Sequence, residues 1–301
     1  MFKKVVIFGV GLIGGSFARA LKKAGAVESI VGIGRSAAAL ARARELGLID
    51  VIGDALADAL DGADLVLIAA PVAQTEKILA ALEPHLQAGT IVTDCGSTKT
   101  DVVAAARRAL KGKLAQFVPG HPIAGRESNG PDAAIDDLYQ GKKTVLTPLP
   151  ENSPADIERV AEAWRQCGAI IHRLTPEEHD KVFAAVSHLP HLLAYALVDD
   201  IASKPHASLL FQYAASGFRD FTRIAGSSPE MWRDISLANS AALLNELDAY
   251  MAQLTGLRSK LAAGDGAGIE TVFANAQRAR RQWIEAIESA EIPPTKDSVE
   301  S

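Results

Sequence analysis

Four short segments hold the residue types that move protons or grip carboxylates. The first is Asp94-Cys95-Gly96-Ser97-Thr98-Lys99. Its Ser97 hydroxyl can donate to a substrate oxygen, or cap the helix that follows, or both. The second is Gly120-His121-Pro122-Ile123-Ala124-Gly125-Arg126-Glu127. Here a histidine follows a strand end, fixed by a proline and bracketed by glycines. An imidazole so placed exchanges a proton with a hydroxyl near neutral pH. The third is Ser187-His188-Leu189-Pro190-His191. His188 and His191 are three apart and share a helix face, and Pro190 is expected to bend or interrupt that helix. A metal is not expected, because no acidic residue with ligand spacing stands nearby. The competing reading is a pair of satisfied core or cleft histidines. The fourth is Gly217-Phe218-Arg219-Asp220-Phe221-Thr222-Arg223-Ile224-Ala225. Arg219 and Arg223 lie on one face if helical, and two such cations suit a dicarboxylate. The competing reading is a solvated pair of Arg219 with an acidic neighbour. Trp232, just beyond, is expected to pack in a core.

A fifth segment suggests what the chemistry is coupled to. Gly9-Val10-Gly11-Leu12-Ile13-Gly14 directly follows the apolar run Val5–Phe8 and directly precedes a helical stretch. In that context Gly9 permits a tight turn, Gly11 lets backbone approach a pyrophosphate, and Gly14 packs helix on strand. Leu12 and Ile13 open the helix whose positive end receives the phosphates. The chain is therefore expected to bind NAD or NADP. The second strand of such a unit usually ends in an acidic residue that holds the adenosine ribose. This sequence has Gly34-Arg35-Ser36 there. Arg35 can pair with a 2′-phosphate and Ser36 can donate to it, so NADP is preferred over NAD. The other reading is that Arg35 stacks on adenine and both cofactors bind.

These groups need a scaffold, and the pattern of apolar runs supplies one. Val5–Phe8, Ile30–Ile33, Leu65–Ile68 and Thr90–Thr93 read as strands, separated by helical stretches at 13–24, 37–46 and 72–86 and followed by another at 99–110. The runs are continuous rather than alternating, as in strands covered on both faces. Strand–helix alternation implies an α/β Rossmann fold with a doubly wound parallel sheet. Two further strands are expected at 144–146 and 169–171, around a helix at 155–166. From about 175 strand signals fade, and long amphipathic stretches at 177–202, 238–261 and 269–287 predict an all-α domain. The expected organisation is a dinucleotide-binding domain over 1–174, a helical domain over 175–290 and a disordered tail over 291–301.

Composition narrows the class. With 301 residues, 48% hydrophobic and 22% charged, the chain reads as globular. A net charge of -5 argues against a nucleic-acid partner. Two cysteines support neither a disulfide framework nor a CxxC metal site. No signal peptide and no run of about 18 apolar residues is evident, so no membrane partner is expected and the cytoplasm is the expected location.

Taken in order, Gly-Leu-Ile-Gly-Gly-Ser (11–16), Asp-Cys-Gly-Ser-Thr-Lys (94–99), Gly-His-Pro-Ile-Ala-Gly (120–125), Ser-His-Leu-Pro-His (187–191) and Gly-Phe-Arg-Asp-Phe-Thr-Arg-Ile-Ala (217–225) resemble the prephenate/arogenate (cyclohexadienyl) dehydrogenases of tyrosine biosynthesis. The resemblance spans Val5 to about Ile287. It implies a Rossmann domain with a helical dimerisation domain, hence a homodimer, and a small-molecule substrate that is oxidatively decarboxylated as hydride passes to NAD(P). It further implies that His121 accepts a hydrogen bond from the ring hydroxyl and that Ser97 holds the same hydroxyl or orients His121. Arg223 would bind a substrate carboxylate with Arg219 assisting, while His191 and Ser187 line the pocket with His188 beside them. Glu127 is a candidate partner for the amino group of arogenate. The chain departs from many members at Gly34-Arg35, where an acidic residue is common. Two other readings compete: a β-hydroxyacid-type dehydrogenase using Lys181 as its acid/base, and a non-catalytic NADP-binding sensor.

Overall fold

A computed structural model describes residues 1–126 and 128–291. Its first half alternates β1 (Phe2–Phe8), α1 (Leu12–Lys23), β2 (Val27–Ile33), α2 (Ala37–Glu45), β3 (Val51–Ile52), α3 (Leu56–Leu60), β4 (Leu65–Ile68), α4 (Thr75–Leu82), β5 (Ile91–Asp94) and α5 (Thr100–Ala109). The five strands form one parallel sheet in the order β3-β2-β1-β4-β5, with Val5 opposite both Ile30 and Leu65. The continuous apolar runs have a direct cause. Val5 and Ile7 point into one core, with Phe17, Leu21 and Trp164, while Val6 and Phe8 point into another, with Leu79, Leu82 and Val102. Leu65/Leu67 and Val66/Ile68 of β4 divide the same way. Each such aliphatic side chain removed from water contributes about 1.5–3 kcal/mol, so both faces of the central strands must be apolar.

The later strands depart from a simple continuation of that sheet. Phe117 bridges Val92 in parallel, and Val118 N–H donates to Val92 O at 2.9 Å. Pro119 has no N–H to carry the ladder on. The chain turns away into β6 (Gly120–Pro122), which pairs antiparallel with β7 (Lys143–Leu146), itself parallel to β8 (Ile170–Arg173). These make a separate three-stranded sheet. His121 therefore sits within a short strand rather than in a free loop.

α6 (Pro154–Gln166) precedes β8, and the helical part begins after it with α7 (Pro176–Phe183). Thr175 and Glu178 form a capping box at its start, with Pro176 in the first turn. α8 (Leu189–Ala202), α9 (Ala207–Gln212), α10 (Ser216–Thr222), α11 (Pro229–Ala238), α12 (Ser240–Ala262) and α13 (Gly266–Glu291) follow. The expected interruption near Pro190 takes a particular form. Residues Ala184–His188 make a π turn that joins α7 to α8 without breaking the path. A proline at 190 lacks the N–H that would bond back to residue 186, and a widened turn absorbs the clash. Within the joined segment Pro176–Ala202 an 18-residue window has a mean hydropathy of 1.3, long and apolar enough to cross a membrane by length and composition only. Here the segment is bonded through Asp180 to the start of α5.

Packing divides the chain into two compact units, 1–244 and 245–301. The first holds both sheets and the helices through α11. The second holds most of α12 and all of α13. Glu291, expected to begin the tail, closes α13, and the rest of the expected tail, 292–301, lies outside the described residues, as does Glu127.

Candidate active site

The three glycines of the first turn differ in what surrounds them. Gly9 has φ +90, and a Cβ there would sit 2.5 Å from Ala69 O. At Gly14 a Cβ would meet Gly9 O at 2.2 Å and Ile7 Cγ2 at 2.9 Å, so helix and strand are in backbone contact. At Gly11 the nearest atom would be Gly130 N at 4.0 Å. Packing thus demands glycine at 9 and 14 but not at 11. The space beside Gly11 adjoins the N-terminus of α1, where no side chain caps the first N–H groups. Open backbone at an uncapped helix start fits a dinucleotide pyrophosphate. At the end of β2, Gly34 and Arg35 are exposed, and Arg35 makes no ion pair among the described residues. Ser36 caps α2, its hydroxyl oxygen accepting from Ala39 N–H, which leaves its own hydrogen to donate.

The Ser97 segment is held from two sides. Asp94, at the end of β5, forms a fully buried ion pair with Lys99 and accepts Gly96 N–H at 2.8 Å and Gly120 N–H at 3.0 Å. The strand end of His121 is thereby tied to the strand end that precedes Ser97. Ser97 does not cap α5. That task falls to Asp180 of α7, which accepts Lys99 N–H and Thr100 N–H, both at 2.8 Å, and the Thr100 hydroxyl. A charged carboxylate satisfies these orphan donors and the helix dipole together.

Asp180 also begins a chain of side chains that ends at His121. His179 Nδ1 lies 2.8 Å from Asp180 Oδ1, and His179 Nε2 lies 2.9 Å from His121 Nδ1. Phe183 packs against both rings, with centroids at 5.0 and 4.5 Å. Burial pushes His121 well below the usual histidine range, aided by His179 and Lys99. Burial also lowers His179, against the pull of Asp180. Asp180 lies below the usual carboxylate range: burial opposes this, but its hydrogen bonds from His179, Thr100 and Lys99 outweigh it.

The helical side adds a second group. Asn239 donates to Asp180 O at 2.8 Å and to His188 Nδ1 at 3.1 Å. The hydrogen of neutral His188 is then on its buried Nε2. Burial lowers the His188 pKa to about 4, and Ser97 backbone lies beside the ring. His191 stacks on Trp232 at 3.5 Å and bonds Ser187 O through Nδ1 at 2.9 Å. Burial lowers its pKa, and nearby Arg223 lowers it further. Arg223 opens the 3-10 turn after α10 and is exposed.

The structure thus links His121, the segment bearing Ser97, His188, Ser187, His191 and Arg223 into one neighbourhood within the first unit. Arg219 is not drawn into it. It is 82% exposed, and Asp220 lies 3.9 Å away as its ionic neighbour. Lys181, the rival acid/base, is exposed on α7. His179, Asp180, Lys99 and Asn239 escaped the sequence reading. Glu177-Glu178-His179-Asp180-Lys181 looks like a solvated helix face. The signal against that was the spacing of His179 and Asp180 from Phe183 and Ala184, which puts them on the apolar stripe.

The comparisons agree with this geometry. Residues 17–173 match the family described as prephenate dehydrogenase, nucleotide-binding domain, and residues 175–275 match prephenate dehydrogenase, dimerization domain. Cyclohexadienyl dehydrogenase of Zymomonas mobilis is 38% identical over 282 residues, 93% of this chain and 96% of that protein. The structure of prephenate dehydrogenase from A. aeolicus with hydroxyphenyl propionate and NAD+ superposes with a TM-score of 0.87 at 35% identity, covering 94% of this chain and 98% of that one. Synechocystis arogenate dehydrogenase gives a TM-score of 0.79 at 30% identity, covering 93% and 99%. Motif order, fold and match extent together identify the chain as a member of the prephenate dehydrogenase family of NAD(P)-dependent enzymes.

Proposed function

We propose that this protein oxidatively decarboxylates a cyclohexadienol bearing a ring carboxylate, prephenate or its amino counterpart arogenate, in tyrosine biosynthesis. The observation that carries the reading is His121, a neutral histidine within β6 whose neighbour Gly120 donates its N–H to Asp94 at the strand end preceding Ser97. NAD(P), when bound along Gly9–Gly14, supplies the acceptor for the hydride lost from the carbinol carbon. His121 takes the hydroxyl proton as that carbon becomes a carbonyl. Cleavage of the ring–carboxylate bond then sends its electron pair into the ring, carbon dioxide leaves, and His121 returns the proton to the phenolate. No proton is gained or lost overall. Ser97 holds the hydroxyl oxygen. Arg223 holds a carboxylate, and Ser187 and His191 line the pocket.

NADP is the preferred cofactor on this reading. Gly34 leaves no carboxylate for the ribose, Arg35 is exposed and without an ion pair among the described residues, and Ser36 keeps a hydrogen to donate. We place the boundary between the nucleotide-binding and helical domains at 174/175, and the enzyme in the cytoplasm. We also propose a homodimer built on the last two helices. Among the described residues of α12 and α13, Leu243 alone is fully buried, while Leu254, Leu261, Phe273 and Trp283 are exposed. Long helices with open apolar faces need a partner surface.

The deciding experiment is a steady-state assay of prephenate and arogenate, each with NAD and NADP. Turnover of at least one substrate is expected, fastest with NADP. No turnover in any combination would favour the sensor reading instead.

A further inference from the structure

We infer that His179, braced by Asp180, is a positioning residue that fixes which nitrogen of His121 carries the hydrogen. The inference rests on His121 being the proton acceptor proposed above. The argument runs from the carboxylate outward. Asp180 is ionised, since its donors hold it below the usual carboxylate range. An ionised carboxylate accepts only. The His179 Nδ1 facing Asp180 Oδ1 at 2.8 Å must therefore carry a hydrogen. His179 is neutral, so its Nε2 has a lone pair. That lone pair faces His121 Nδ1 at 2.9 Å and can only accept. His121 is thus held with hydrogen on Nδ1 and a bare Nε2. The bare nitrogen is the form a substrate hydroxyl needs as its acceptor.

Two further features fit positioning rather than packing alone. Asp180 Oδ1 is shared between His179 and the backbone N–H of Lys99. The same carboxylate therefore sets both the His121 ring and Lys99, the N-cap of the helix that follows Ser97. Phe183 covers both imidazoles, so the two bonds lie against an apolar wall where they are stronger than in water. When His121 takes a proton, His179 passes the stabilising influence of the Asp180 charge to it without itself changing protonation.

The test is a long-range 15N–1H correlation spectrum of 15N-histidine-labelled full-length protein, with kcat and KM for wild type, His179→Phe, His179→Gln and His121→Asn. Wild type is expected to show His121 with a protonated Nδ1 and a pyridine-type Nε2. His179→Phe should shift hydrogen to Nε2 and lower kcat by about 100-fold or more, with KM within about 3-fold. His179→Gln, whose carbonyl can accept from Nδ1, should restore the wild-type tautomer and most of kcat. A wild-type His121 protonated on Nε2 overturns the inference without any variant, and so covers the case in which His179→Phe fails to fold. It is equally overturned if His179→Phe leaves the tautomer in place, or if His179→Gln loses as much activity as His179→Phe. His121→Asn separates the two claims: retained turnover there removes His121 as the proton acceptor, while the wild-type spectrum still judges the His179 contact.

Discussion

Asp180 Oδ1 accepts the backbone N–H of Lys99 at 2.8 Å across 81 positions of sequence. One carboxylate on a helix of the C-terminal half thus caps a helix of the Rossmann half. Removing it should be felt in both. Asp180→Ala is expected to cost about 2–3 kcal/mol, more than a simple cap, because the buried N–H of Lys99, the half-buried N–H of Thr100 and the buried His179 ring all lose their acceptor. Thr100→Val removes only one of the four bonds and should cost about 1 kcal/mol. Urea unfolding of the two variants measures both. Equal costs would mean the carboxylate contributes no more than its bond to the threonine.

Lys99 is the opposite case, a cation with no exposed surface paired to Asp94. Lys99→Met should destabilise by about 3–5 kcal/mol, because it strands a buried carboxylate. Asp94 would still accept from Gly96 and Gly120, so folding should survive with a lowered urea midpoint and an unchanged slope. A midpoint like wild type would mean that water reaches Asp94.

The histidines predict how stability depends on pH. Burial lowers His121, His179, His188 and His191 relative to the ordinary value near 6.5, with His188 reaching about 4. Unfolding restores the ordinary value, so between these limits the unfolded chain binds more protons. Stability should be complete above about pH 6.5 and fall as pH drops toward 4, with His188 alone accounting for on the order of 3 kcal/mol. Urea midpoints measured from pH 8 to pH 4.5 give the slope. A flat profile across pH 6.5 to 4.5 would contradict the buried neutral cluster.

Much of this molecule was legible before its structure, and the pattern of hits has a physical basis. Val5–Phe8 and Leu65–Ile68 announced themselves because both faces of a covered strand must be apolar. Gly9, Gly11 and Gly14 did so because turn, approach and packing each forbid or disfavour a side chain. His121 and Ser97 stood out as candidates because each lies just past the end of an apolar run, Phe117–Val118 and Thr90–Thr93. The site's supporting shell was not. His179 and Asp180 serve partners 58 and 81 positions away, and no local periodicity encodes such a pairing. The second sheet was missed for a similar reason. The expected strands at 144–146 and 169–171 appear as β7 and β8, shifted by one or two residues at their ends, but the departure forced by Pro119 decided which sheet they joined.

The glycine turn itself can be divided by substitution. Gly14→Ala places a methyl group 2.2 Å from Gly9 O, and helix and strand cannot both keep their positions. It should lower stability by more than about 2 kcal/mol with or without cofactor. Gly11→Ala meets nothing closer than 4.0 Å. It should melt like wild type when free, yet lose cofactor affinity by about 10-fold or more, since its methyl occupies the approach to the pyrophosphate. Melting curves and fluorescence titration separate the two. Wild-type affinity in Gly11→Ala would move the pyrophosphate away from this turn.

Cofactor choice turns on the end of β2. A Cβ at Gly34 would lie 3.5 Å from Leu40, an ordinary contact, so the missing carboxylate is not a demand of packing. Gly34→Asp should therefore fold normally. Its carboxylate would accept from the ribose hydroxyls of NAD and repel the 2′-phosphate of NADP. The ratio of kcat/KM for NADP over NAD should fall by about 100-fold. Arg35→Ala should lower kcat/KM for NADP by about 10-fold and leave the NAD value nearly unchanged, because only NADP offers the phosphate. The two variants fail differently. If Arg35→Ala lowers both cofactors equally, Arg35 acts on the adenine rather than on the phosphate, and the preference must arise elsewhere on the β2–α2 turn.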